Sequence, residues 1–173
     1  MTGLNKSIEK IIRKKFDIWD SVIIFITILV AFILATFIIL ITGPVYYSIA
    51  LASVAVIGYA GYVIITSRNV EYEYSLIGNN LEINMIVGKR KRKLLFSGQY
   101  RQFQAIGKAS GKEYETLAAN ITTVIHAGSL PSSEYTYFFI TEYKNKKTVV
   151  YFEPGIEIVS AIKSKNKRAF ISG

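Results

Sequence analysis

From residue 21 to residue 67 the chain runs through 47 positions without one Asp, Glu, Lys, Arg or His. A hydrocarbon core about 30 Å thick takes roughly 20 apolar residues of helix to cross. This run is long enough for two crossings, and Gly43-Pro44 breaks it in the middle. Pro lacks an N–H and Gly costs helix stability, so the pair ends one helix and frees the next to begin. The pattern predicts a transmembrane hairpin with spans over 22–42 and 45–66. Trp19 at the start of the first span, and Tyr46 and Tyr47 after the break, are expected as interface anchors, because amphipathic rings favour the headgroup level. A buried hairpin of a soluble protein is the competing reading, but core helices seldom run so far without a charge.

Past residue 67 the period falls from helix to strand. Val70, Tyr72, Tyr74 and Leu76 alternate with Glu71, Glu73 and Ser75, which predicts a strand with the two glutamates on a wet face. Gly78-Asn79-Asn80 is a turn signal, and Leu81, Ile83 and Met85 alternate with polar neighbours beyond it. Further strands are expected over 94–97, 100–106, 122–127, 135–143 and 147–152. Residues 113–119 read as a helical turn inside a poorly patterned stretch. Glu153-Pro154-Gly155 opens an apolar-periodic segment, Ile156, Val159 and Ile162, that ends in Lys163, Lys165, Lys167 and Arg168. An acid and Pro at the start with bases at the end predict a terminal helix.

Before the spans, Leu4, Ile8, Ile11, Ile12, Phe16 and Trp19 recur at helical spacing with Lys6, Lys10, Arg13 and Lys14 between them. This reads as an amphipathic helix lying in the membrane interface, or as a basic terminus that only sets orientation. Within the spans, Thr27 and Thr36 can bond their own backbone. The small residues Ser48, Ala52, Ala55, Gly58 and Gly61, with Ala31 and Ala35, favour close packing of the two helices on each other over a dimer contact. The bilayer stretch holds no ionisable group, which argues against a proton relay, ion path or transport site.

Charge adds orientation. The arm before residue 21 carries five Lys and Arg; the chain from Arg68 on carries sixteen against nine Glu and no Asp, a net of +7. The connecting turn carries none. The expectation is a multi-pass membrane protein with both termini cytoplasmic. A signal peptide would have a shorter apolar core and a small-residue cleavage site, so the first span reads as retained. Three segments follow: a basic arm over 1–20, the hairpin over 21–67 and one compact domain over 68–173.

The run Lys89, Arg90, Lys91, Arg92 and Lys93 is the candidate site. The first strand leaves the membrane and the second returns antiparallel, roughly 20 Å out and back at about 3.3 Å per residue. The basic loop then returns towards the headgroups. Like charges in a row repel unless solvated or met by anions, and each Lys or Arg at an anionic surface contributes about 1 kcal/mol. Anionic lipid is the expected partner; a solvated turn that reinforces orientation is the alternative. Nucleic acid is not expected, since neither a recognition helix nor an aromatic RNA-binding motif is present.

Catalysis finds no support. The chain has no Cys and one His, and the glutamates show no metal-ligand spacing, so no metal and no cofactor are expected. His126, between Ile125 and Ala127 in a predicted strand, reads as structural or surface. Asp17 and Asp20 read as membrane-surface acids or a helix start. No phosphate-binding Gly loop and no nucleophile elbow occur.

The stretch VEYEYSLIGNNLEINMIVGKRKRKLLF (residues 70–96), with FEPGIEIVSAIK (residues 152–163), resembles bacterial PH-like domains attached to membrane hairpins. It is also similar to a family of small, uncharacterised Gram-positive bacterial membrane proteins, a domain of unknown function. The resemblance implies an α+β multi-pass protein of the bacterial inner membrane: a two-helix transmembrane hairpin, then a small PH-like β-barrel or β-sandwich of about six to seven antiparallel strands, closed by a C-terminal α-helix. It does not imply an enzyme, and none is expected. It leaves two functions open: a binding module contacting anionic inner-leaflet lipid through the basic loop, or a membrane-anchored protein–protein scaffold or accessory subunit.

Overall fold

The computed structural model describes residues 7–42, 44–109, 121–130 and 135–171. The expected helical turn over 113–119 lies outside the described residues. The chain divides into two compact units, one of Phe16–Val70 and one of Met1–Lys15 with Glu71–Gly173.

The helical unit consists of α1 (Ile18–Thr42), a short 3-10 turn (Pro44–Tyr46) and α2 (Tyr47–Ser67). α1 starts four residues before the expected span because Asp17 caps it. The Asp17 carboxylate accepts the N–H of Ile18 at 2.7 Å, and its carbonyl accepts those of Asp20 and Ser21. The Asp20 carboxylate reaches back to accept the Asp17 N–H at 3.3 Å, the returning half of a capping box. Asp17 and Asp20 are therefore a helix start. Buried Asp20 also pairs with Arg68 at 3.7 Å, which ties the beginning of α1 to the end of α2. Thr27 and Thr36 bond the carbonyls of Ile23 and Phe32 within their own helix. The small residues divide: Gly61 is buried, its missing Cβ facing the Thr27 methyl at 3.8 Å, whereas a Cβ at Gly58 would point into open space. Both helices are long and apolar enough to cross a membrane, and their apolar side chains face outward. A core helix of a soluble protein would bury them.

The other unit holds two four-stranded sheets. β1 (Ile8–Arg13), β2 (Val70–Ile77), β3 (Asn80–Val87) and β4 (Lys91–Gln99) form the first, in that order. β5 (Ala105–Lys108), β6 (Thr123–Ala127), β7 (Tyr137–Tyr143) and β8 (Lys146–Phe152) form the second, in the order β5-β7-β8-β6. The described strands make two sheets and no closed barrel. β1 with β2, β3 with β4, β5 with β7 and β7 with β8 are antiparallel, whereas β6 pairs parallel with β8 and Ile106 makes a parallel bridge to Phe170, against the expectation of an antiparallel set. Tyr100–Gln102 is a 3-10 turn where a strand was expected.

Residues 8–13 are a strand, not the expected amphipathic helix. β1 pairs antiparallel with β2 over Ile8↔Leu76 to Arg13↔Glu71. Ile8, Lys10 and Ile12 turn half-inward while Glu9, Ile11 and Arg13 face out. Three β-branched residues in six suit a pleated surface, and an open edge on β2 offers more burial than a lone helix could find.

Aromatic rings join the sheets. Phe96 of β4 meets Phe139 of β7 edge-on at 5.0 Å, and Tyr74 of β2 meets Phe152 of β8 at 5.9 Å. On the far face of the second sheet, Ala105, Phe138, Ile140 and Val149 pack with Ile121, Tyr151 and Ile171. The terminal helix α3 (Ile156–Lys165) buries Ile158 and Ile162. Asn166 at its end donates to the carbonyls of Tyr100 and Phe103 at 2.9 and 3.1 Å. Gly155, not an acid, occupies the N-cap of α3; Glu153 is turned inward instead.

Candidate functional site

The basic run is part turn and part strand. Gly88 and Lys89 both take positive φ, near 58° and 57°, and the Arg90 N–H closes the reversal on the Val87 carbonyl at 3.1 Å. Positive φ at both central residues matches the right-handed twist of a hairpin, which Gly adopts freely and Lys at some cost. Lys91, Arg92 and Lys93 already belong to β4, so only Lys89 and Arg90 lie in a loop. All five side chains are exposed. Strand alternation sends them two ways. Arg92 sits opposite Ile86, while Lys91 and Lys93 sit opposite Val87 and Met85 on the other face.

Arg92 does not stand alone. Its guanidinium meets the Glu73 carboxylate at 3.0 Å, and Arg13 of β1 meets Glu71 at 2.8 Å. Glu71 and Glu73 are buried, against the expectation of a wet face. β2 has a neighbour on each side, and the two long arginine side chains reach inward from β1 and β4 to cover it. The acids lie beneath, and the arginine side chains stay about two-thirds exposed above them, at 69% and 66%. A shallow cleft of about 350 Å³ opens beside this array, lined by Glu71, Ile86, Lys89, Arg90 and Arg92. Because β2 and β3 run antiparallel, the basic turn lies at the end of the sheet that also holds Arg13 and Glu71.

Arg13 and the two buried glutamates were missed from sequence. Only the pairing of β1 with β2 brings Arg13 here, and no local pattern announces a pairing 58 residues apart. The anchors Trp19, Tyr46 and Tyr47 belong to the helical unit: Trp19 in the first turn of α1, Tyr46 at the end of the 3-10 turn and Tyr47 at the start of α2, all well exposed. His126 lies exposed on β6, its ring stacked on Tyr151 at 4.8 Å.

A second polar cluster lies inside the sandwich. The Tyr74 hydroxyl donates to the Ala127 carbonyl and accepts the Glu153 N–H at 3.2 Å. The Glu153 carboxylate accepts both the N–H and the hydroxyl of Ser129, at 2.9 and 2.8 Å, and the Ser129 carbonyl takes the N–H of Lys15. Burial pushes the phenols of Tyr72 and Tyr74 above the usual tyrosine value. The cluster joins β2, the end of β6, the loop after it, the residue following β8 and the segment after β1.

A family model described as bacterial PH-like domain (DUF6106) matches residues 6–172. No curated protein and no solved structure matches the chain.

Proposed function

The chain belongs to the bacterial PH-like domain family (DUF6106), and from that premise we propose that it is a membrane-anchored, non-enzymatic binding module that contacts anionic inner-leaflet lipid through residues 89–93. The family supports a binding module in general; the lipid is our reading. The match takes in both apolar helices and β1, so hairpin and sheets belong to one family pattern. One observation carries the proposal. β1 hands the chain to α1 through four residues, and α2 hands it back to β2 through two, both at the sheet end that bears the basic turn. A hairpin in the inner membrane with both termini cytoplasmic would hold that turn on the anionic leaflet.

Native mass spectrometry of the full chain, purified in mild detergent and supplied with equal anionic and zwitterionic lipid, tests this. Wild type should retain anionic lipid preferentially. Replacement of Lys89, Arg90, Lys91, Arg92 and Lys93 by Gln should abolish the preference. Equal retention of both lipids by wild type would refute the proposal.

The second reading, a membrane-anchored scaffold, has its own support in a groove of about 250 Å³ between β7 and α3. Tyr135, Tyr137, Pro154, Ile156 and Val159 line it with Lys108, and Ile156 is almost wholly exposed. Recovery of one protein partner that is lost on Ile156→Asp would favour that reading.

A further inference from the structure

We infer that the domain meets an anionic bilayer with the outer face of its first sheet, using Ile11 and Leu94 as apolar contacts on either side of the arginines, and not with the basic turn alone. This inference rests on the lipid reading above and extends it to residues outside the basic run.

Two features of register build the face. β1 aligns Ile11 with Glu73 and Arg13 with Glu71, which puts Ile11 and Arg13 on the side of β2 that carries the two acids. In β4 a bulge intervenes: Ile83 pairs with Phe96 but Asn84 pairs with Leu94, leaving Leu95 unmatched. Without the bulge Leu94 and Phe96, two residues apart, would share a face. With it, Phe96 enters the core at 1% exposure while Leu94 turns out at 53%, onto the side of Ile86 and Arg92. The Arg92–Glu73 pair confirms that β4 and β2 present these residues to one side. The bulge thus places a large apolar side chain in water where simple alternation would have hidden it.

The resulting face has Ile11, 56% exposed, and Arg13 on one edge strand, and Leu94 and Arg92 on the other. Glu71 and Glu73 lie beneath the two largely exposed arginine side chains, so the arginines are outermost at this end of the face, while Glu9 is exposed on the same side at the other end of β1. Exposed aliphatic groups flanking arginines are the composition of a surface that enters the headgroup and upper acyl region: guanidinium meets phosphate, and the aliphatic side chains leave water. A soluble acidic partner would match the charge. A bilayer also matches the connectivity, because β1 and β2 lead directly to the two apolar helices.

The absence of cysteine allows single-site labelling of the full chain. Ile11→Cys, Leu94→Cys, Lys89→Cys and Val124→Cys would each carry a polarity-sensitive fluorophore in nanodiscs of neutral or anionic lipid, with shallow doxyl-lipid as quencher. Val124 is an exposed control on the second sheet. The inference predicts quenching at positions 11, 94 and 89 in anionic discs, severalfold weaker quenching in neutral discs, and none at 124. Quenching at 89 without 11 and 94 would overturn it while leaving the turn reading intact. No quenching at any position would overturn both. Equal quenching at 11 and 94 in neutral discs would overturn it too, since the arginines would then be idle. Ile11→Asp with Leu94→Asp, shown folded by near-UV circular dichroism, should cut retention of anionic lipid severalfold; unchanged retention would count against the inference.

Discussion

Tyr74 shows how much a single buried hydroxyl can hold. It bonds the end of β6 and the backbone that follows β8 from a position with no exposure at all. Tyr74→Phe keeps the ring and its contact with Phe152 but leaves the Glu153 N–H and one carbonyl lone pair without a partner. The expected loss is about 1–3 kcal/mol, measured by denaturant unfolding. The same residue shapes the alkaline limb of stability. Its phenol and that of Tyr72 are held protonated by burial, above the value of the unfolded chain. Above about pH 10 the unfolded state releases these protons first, so the contribution is complete below that pH and falls as pH rises. An unfolding series across the alkaline range should steepen there for wild type and flatten for Tyr74→Phe. At the surface, Glu73→Gln frees the Arg92 guanidinium without changing side-chain size. Stability should change by less than about 1 kcal/mol, because that guanidinium is largely solvated. Retention of anionic lipid should rise, where Arg92→Gln lowers it; equal effects of the two substitutions would remove Arg92 from the site.

At the scale of elements, strongly periodic segments were legible and pairings were not. The charge-free run gives both apolar helices, and the alternation from Val70 gives β2 and β3, because each signal is local. Residues 8–13 satisfied a helical spacing and still became a strand, since the decisive partner lies on β2, beyond the whole hairpin. The bulge at Leu95 is equally silent: LLF reads as three consecutive apolar residues, and only the register with β3 tells which one faces out. Glu153 looked like a helix-start acid because Pro154 follows it, yet Ser129 offers two donors and draws it inward. The β1 assignment is checkable by amide hydrogen exchange. Alternate amides over 8–13 should be protected together with those of β2, whereas a surface helix would protect successive amides independently of β2. The sheet interface is checkable too. Phe139 stacks on Phe103 at 4.0 Å and meets Phe96 and Phe152, so Phe139→Ala should cost about 3–5 kcal/mol.

For the whole molecule, the basic run was visible in the sequence as a site, but its anatomy was not. Five consecutive cations look equivalent on paper. In the fold two lie in a turn, two face one side of β4, and Arg92 faces the other, bonded to an acid from a strand two places away. Arg13 joins them from the far side of the apolar hairpin. The orientation expected from charge has a separate check: single cysteines at Tyr46 and Lys146 should label from opposite sides of the membrane. The central claim is that this end of the domain touches anionic lipid. Amide hydrogen exchange over residues 88–94 of the full chain, in neutral and in anionic nanodiscs, tests it most directly. The account predicts slower exchange in anionic discs, reversed by high salt. Identical exchange in the two discs at low salt would contradict it.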